Sequence, residues 1–426
     1  MTTAIILIFI IGYLAIAFEH PLRINKAAPA IITGVLCWLI YFIASGSIKE
    51  ADDALVHSVG EIASILFFLL GAMTIVELID AHNGFSIITN KIKTTALSRL
   101  LLYITVLTFF LSSILDNLTT AIVMTSLCSK LLANKEDRLW FAGMIIIAAN
   151  AGGAWSPIGD VTTTMLWIGG QITTFSIIQN TFIPSVVVCI LPMLLLMYKF
   201  RGKHIPHTES TDNKAIDEHS AKADVILISG FALLMLVPVF KTITHLPPFM
   251  GMLLSLGIMW IITTIIHRNK QPEHKQKYSV SNALQRIDTP SILFFLGILL
   301  AVSALQSFGS LKTVAVFLET HLKNDYLIGT ALGMLSAVID NVPLVAAAQG
   351  MYAIDEFPVN HHFWQFLALT SGTGGSMIII GSAAGVAVMG IETIDFMWYL
   401  KRISWLAAAG YFAGIGSFIL QQYLMG

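Results

Sequence analysis

Apolar runs long enough to cross a bilayer follow one another through most of this chain, and they restrict its fold more than any other feature. A helix needs about 20 mostly apolar residues to span the hydrocarbon, with roughly 17 as the lower limit. Runs at 3–18, 27–45, 62–80, 178–199, 224–241, 247–267, 290–306 and 402–424 meet or approach that length, the first being short. Backbone N–H and C=O groups find no partner in lipid, so such runs fold as helices. Only 12% of the 426 residues are charged, while 56% are hydrophobic. Soluble proteins average about 25% charged residues. The expectation is an all-α polytopic membrane protein surrounded by membrane lipid. A disordered chain, a nucleic-acid binder and a disulfide-stapled domain are excluded. The formal net charge of −1 points to no partner. Cys37, Cys128 and Cys189 lie inside apolar runs and read as buried free thiols. The N-terminal run lacks a basic leader and a small-residue cleavage site, and reads as a retained span.

Four more apolar stretches are interrupted. Those at 138–172 and 362–389 carry glycine-rich breaks and read as broken helices. Those at 99–133 and 326–356 are too long for one span and have a polar break in the middle. They read as re-entrant hairpins that enter and leave on the same side. This arrangement has ten crossings and two hairpins. With both termini outside, 19 of the 24 Lys and Arg residues fall in cytoplasmic segments and 4 outside, with Lys130 in a hairpin leg. The positive-inside rule favours that orientation. Hairpins that crossed fully would largely erase the asymmetry. Polar loops at 200–223 and 268–289 connect the spans, and the first divides the chain into halves 1–199 and 224–426. His204, His207 and His219 in that loop read as solvent-facing.

The halves resemble each other. ILFFL occurs at 65–69 and 292–296, and LSSILDN at 111–117 returns as LSAVIDN at 335–341. Gly152-Gly153 returns as Gly374-Gly375, and Gly159 as Gly381, with the offset drifting only from 227 to 222. Each half holds five crossings and one hairpin. Five is odd, so the second half enters the membrane upside down. That is the inverted-repeat plan of secondary transporters. Segments 84–98 (Phe85, Ile88, Ile92) and 309–323 (Leu311, Val314, Leu318, Leu322) have helical apolar spacing and read as helices lying at the interface.

Ionisable residues deep in a membrane are costly and mark function. Asp116-Asn117 and Asp340-Asn341 stand at the two hairpin tips. A carboxylate, an amide and carbonyls freed by a break make an oxygen-rich nest suited to a hard monovalent cation. The plainer alternative is an Asp that caps the following helix. The second element is the segment 148–167, broken at Gly152, Gly153, Pro157 and Gly159. Asn150, Ser156, Asp160, Thr162, Thr163 and Thr164 surround that break. Its mirror, 371–385, holds Ser371, Thr373, Gly374, Gly375 and Ser376, with Ser382 in the place of Asp160. Thr119 and Thr120 follow the first tip, whereas Pro343 and Leu344 follow the second. Glu19, His20, Glu61, Glu77 and Asp80 lie at span edges and read as reaching the interface. No Lys or Arg falls at a span centre. Three acids around the breaks would repel a di- or tricarboxylate and favour a cation or a proton.

At these residues the chain resembles NhaD-type sodium/proton antiporters, through the Asp-Asn tips and above all through SPIGDVTTTMLWIGGQIT at 156–173. That family belongs to an ion-transporter superfamily with arsenite-efflux and dicarboxylate carriers as relatives. The resemblance implies export of Na+ or Li+ in exchange for H+ across a bacterial inner membrane, by a homodimer whose transport part moves like an elevator. No cofactor is implied. In dicarboxylate relatives the tip reads Ser-Asn-Thr and helps bind sodium. Asn117 and Asn341 fall on that Asn, while Asp116 and Asp340 replace the Ser. The expected ion site comprises Asp116, Asn117, Thr119, Thr120, Asn150, Gly152, Gly153, Ser156, Asp160, Thr162 and Thr163, with Asp340, Asn341, Thr373, Gly374, Gly375 and Ser376 as its pseudo-symmetric part. Asp116, Asp160 and Asp340 are the expected Na+ carboxylates. An arsenite or organic-acid carrier is the alternative. No enzyme is expected: an intramembrane aspartyl protease would show Gly-x-Gly-Asp, where this chain has Pro157-Ile158-Gly159-Asp160.

Overall fold

A computed structural model describes residues 2–17, 19–85, 94–205, 220–338 and 340–425. Among these the chain is helical, with no strand beyond one isolated bridge between Ala96 and His204. The first half contains α1 (Thr2–Ala17), α2 (Glu19–Leu22), α3 (Ala27–Ser45), α4 (Ile48–Ala81), α5 (Leu97–Leu115), α6 (Asn117–Leu131), α7 (Lys135–Gly153), α8 (Val161–Ile168) and α9 (Thr174–Lys199). The second contains α10 (Ser220–Thr244), α11 (Pro248–His267), α12 (Pro272–Lys277), α13 (Val280–Arg286), α14 (Thr289–Ser307), α15 (Ser310–Leu322), α16 (Asp325–Leu335) and α17 (Asn341–Met351). It continues with α18 (His362–Gly374), α19 (Ala383–Glu392), α20 (Phe396–Arg402) and α21 (Ser404–Met425).

Among the described residues, seven helices are long and apolar enough to cross a membrane: α3, α4, α5, α9, α10, α11 and α14. The pair α19 and α20, bent by 115°, makes eight if it counts as one span. The chain is thus a multi-pass membrane protein. α5 can cross by its length alone, although it was expected as a hairpin leg. α1 is shorter, at 16 residues. Glycines and Gln421-Gln422 dilute the apolar content of α21. α4 begins at Ile48, well before the apolar run at 62. Ser47 caps it by accepting the Glu50 N–H, and no glycine or proline falls between Ile48 and Val59. Leu7, Ile11, Ile32, Ile43, Ile228, Ile243, Ile261 and Ile265 are each more than half exposed. So many exposed large apolar side chains on these helices fit lipid and not water.

The long helices pack in reciprocal pairs. α3 lies on α14 and α4 on α11, while α9 lies on α21. Around the breaks α5 packs on α7 and α16 on α18; α6 packs on α19 and α8 on α17. Small residues permit the close approaches, as is general where lipid offers no hydrophobic drive between helices. A Cβ at Gly34 would stand 2.6 Å from the Gly297 carbonyl oxygen.

Cys37, Cys128 and Cys189 are buried and free. In α15, Leu311 is buried and Leu318 and Leu322 are half-buried, but Val314 is 42% exposed. Ala315 takes the inward place instead, because it follows Leu311 by one full helical turn. Phe85 is buried, while Ile88 and Ile92 of the other expected interfacial helix lie outside the described residues, as do His207, His219 and most of the 200–223 loop.

Candidate ion-binding site

Four helix starts meet in the middle of the protein. α5 stops at Leu115, and Asp116 takes φ 92°, ψ 158°, a conformation that a residue with a Cβ adopts only under constraint. The constraint is the side chain itself. Its two oxygens accept the Thr119 N–H and the Thr119 hydroxyl, both at 2.8 Å, which begins α6. Asp340 accepts the Val342 N–H at 3.4 Å and begins α17. Asp160 accepts the Thr162 N–H at 3.4 Å and the Thr162 hydroxyl at 3.0 Å, beginning α8. Ser382 accepts the Gly385 N–H at 3.1 Å and begins α19. The capping role considered for the Asp residues is therefore present, and it orients each carboxylate. Helix N-termini carry partial positive charge, which lowers the cost of holding an acid there.

Asn150 ties the breaks together. It is fully buried; its carbonyl oxygen accepts Asn117 Nδ2 at 3.0 Å, and its own Nδ2 donates to Ser376 Oγ at 2.9 Å and Ser382 Oγ at 3.0 Å. Asn341 Nδ2 donates to Asp160 Oδ2 at 3.1 Å, so a tip of the second half supports the acid of the first. Close backbone approach explains the glycines. A Cβ at Gly152 would collide with the Phe109 carbonyl, and one at Gly374 with the Gly333 carbonyl. Gly153 and Gly375 repeat the pattern against the carbonyls of Gly159 and Gly381, at 2.5 Å and 2.7 Å. Ser112 Oγ donates to Ala149 O at 2.6 Å, and Ser336 Oγ to Ser371 O at 2.8 Å, at equivalent places.

The expected residues divide into two groups. Asp116, Asn117, Asp160, Asp340 and Asn341 line one chamber of about 50 Å³. The rest stand behind it. Thr119 and Thr162 hold carboxylates. Ser156 accepts the Ile158 N–H, Thr163 donates to the Asp160 carbonyl, and Thr373 donates to Leu369 O in its own helix. The Thr120 hydroxyl is buried and makes no hydrogen bond among the described residues. Thr164, from the break of the first half, also lines the chamber, as does Ser291, which was not expected.

Sequence reading missed Lys26. Its Nζ lies 3.0 Å from Asp340 Oδ2, although the residue precedes α3 and looks like any other loop cation of a membrane protein. A long side chain carries its charge to a depth that sequence position conceals. Three of the edge acids also have partners, Glu61 lying 3.4 Å from His57 Nε2 one helical turn away. Glu77 pairs with Arg286 at 3.5 Å, and Glu19 accepts the Lys26 N–H at 3.1 Å.

Asn150→Ala leaves the Asn117 amide and two serine hydroxyls short of a partner. Each buried unsatisfied group costs about 1–3 kcal/mol, so thermal unfolding in detergent is expected to shift down by several degrees. An unchanged midpoint would show that the breaks do not depend on this node.

Broken helices whose starts gather buried acids around a small chamber define a membrane transporter. Comparison with known proteins agrees. A family model described as a citrate transporter matches residues 6–374. Sodium/proton antiporter 1 of Arabidopsis thaliana is 48% identical over 418 residues, which cover 98% of this chain and 72% of that protein. Sodium/proton antiporter 2 of the same plant is 46% identical, with 97% and 98% covered. The Na(+)/H(+) antiporter NhaD of Vibrio cholerae is 30% identical, with 94% and 87% covered. The chain belongs to the NhaD-type antiporter family of the ion-transporter superfamily, whose members are transporters and not enzymes.

Proposed function

We propose that the chain exchanges Na+ or Li+ for H+ across an energised membrane by alternating access. The carboxylates lining the chamber carry this reading. Asp116, Asp160 and Asp340 all border it, so it attracts a monovalent cation and repels a citrate. Asp116 and Asp160 have no ion-pair partner among the described residues, so their charge is available to a transported cation. Na+ and H+ then compete for the same carboxylates. A chamber with bare acids is too costly to carry across hydrocarbon, so only the loaded forms change sides.

The finer architecture follows the same reading. Two inverted repeats, 1–199 and 224–426, each contribute a hairpin (99–133 and 326–356) and a broken helix (138–172 and 362–389), with 200–223 as the cytoplasmic linker. The paired glycine–carbonyl approaches and the reciprocal packing of α5 on α7 with α16 on α18 support this. Both termini face outside, on the strength of the Lys and Arg asymmetry. A homodimer with an elevator-like transport part follows from the family resemblance. Relatives occur in plants and bacteria; a bacterial inner membrane, with its proton gradient, would make the exchange serve Na+ extrusion and pH homeostasis.

The test uses proteoliposomes with an imposed pH gradient. Na+ or Li+ added outside is expected to move protons saturably, while citrate and arsenite do nothing. Citrate-driven movement without Na+ would transfer the chain to the organic-acid carriers.

A further inference from the structure

Lys26 goes beyond the exchange reaction while resting on it. It stands at the start of α3, outside both pairs of breaks. Its Nζ is 3.0 Å from Asp340 Oδ2 and 4.3 Å from the centre of the Phe294 ring, while its backbone N–H is held by Glu19. The Lys26 and Asp340 side chains are only 20% and 13% exposed. The pair lies between two cavities. Asp340 lines the chamber, and Lys26 lines a neighbouring vestibule of about 200 Å³ together with Glu19, Asn25 and Asp288. Leu118, Ser291 and Ala383 border both. The other two acids are treated differently. Asp116 accepts from Thr119, and Asp160 from Thr162 and Asn341, all of them neutral donors, and neither acid has an ion-pair partner among the described residues.

We propose that Lys26 is a built-in cation for Asp340, so that Asp116 and Asp160 alone hold the transported cation, one per chain. An ammonium carries the same unit charge as Na+. Seated on the second acid, it removes the attraction that a second Na+ would feel. Sequence symmetry makes Asp116 and Asp340 equivalent; Lys26, contributed from outside the repeat motifs, makes them unequal. It is a positioning and specificity residue, and it need not touch the cargo.

The sign of the effect on Na+ affinity tests this. Apparent KM for Na+ is measured in proteoliposomes at alkaline pH (about 9), where protons compete least for carboxylates. Lys26→Gln bares Asp340 and adds a negative charge beside the chamber; KM is expected to fall about ten-fold. Asp340→Asn strands the ammonium beside the chamber, and KM is expected to rise about ten-fold. The double variant returns KM to near its starting value, and Lys26→Arg keeps it there. A pair that only braces the fold would lower the maximal rate in both single variants and leave KM alone, which overturns the proposal. If Lys26→Gln does not fold, an unchanged or lowered KM in Asp340→Asn overturns it equally. Failure of the unaltered chain to move protons on Na+ addition strikes the exchange reading itself, which this pattern presupposes.

Discussion

Asp160→Asn is expected to abolish Na+-dependent proton movement in proteoliposomes while the protein stays folded. Asp160 is 2% exposed and receives donors from both halves, Thr162 from its own helix start and Asn341 from the opposite tip. Asparagine has the same shape. It keeps an oxygen for the Thr162 N–H, and Asn341 restores the remaining bond by turning its amide over. What disappears is one unit of charge at contact distance from the cargo. Even at an effective dielectric of about 20, such a charge is worth several kcal/mol. Each 1.4 kcal/mol is about ten-fold in affinity, so a loss of about 100-fold or more is expected. The measurements are a pH-sensitive dye in the vesicles and a thermal melt of the same preparation. Full exchange with an unchanged melt would remove Asp160 from the site.

The second large effect is at Asp116, where charge and backbone can be separated. Asp116→Asn retains an oxygen for the Thr119 N–H and the same shape at Cβ, so it meets no strain at φ 92° that aspartate does not already bear. Its melting temperature is therefore expected to hold while exchange falls by about ten-fold or more, because a unit charge beside the cargo is lost. Asp116→Ala loses both. Removing a helix cap costs about 1 kcal/mol, and a Cβ is still held at φ 92° without the bonds that compensate for it. A lowered melt is expected with alanine only. Equal melts for the two variants would show that the cap does not stabilise the tip, and full exchange in Asp116→Asn would show that its charge is not used.

Much of this site could be read from the chain. Asp116, Asp160 and Asp340 were found because an acid within an apolar run has no inexpensive place to go, and the glycines because they recur at a constant offset. Their partners were harder. Asn150 sits on a helix that reads as apolar, and nothing in its spacing shows that it bridges Asn117 to Ser376 and Ser382. Thr373 matches the pattern of the first half, yet its hydroxyl is committed to Leu369 O within its own helix. Helix limits moved for a related reason. Ile48 begins a helix because a Ser47 cap and good local geometry carry it through polar residues, whereas hydropathy registers only the part that lipid would accept.

By itself the order of residues determined that this is a helical membrane protein, where its helices break, and that acids stand at those breaks, because local hydropathy and backbone chemistry act over a few residues. Which acid stays free for a cargo was decided only in three dimensions. A contact between residues 26 and 340 depends on helices packing across the whole chain, and charge compensation depends on distances of a few ångströms that separation along the chain does not record.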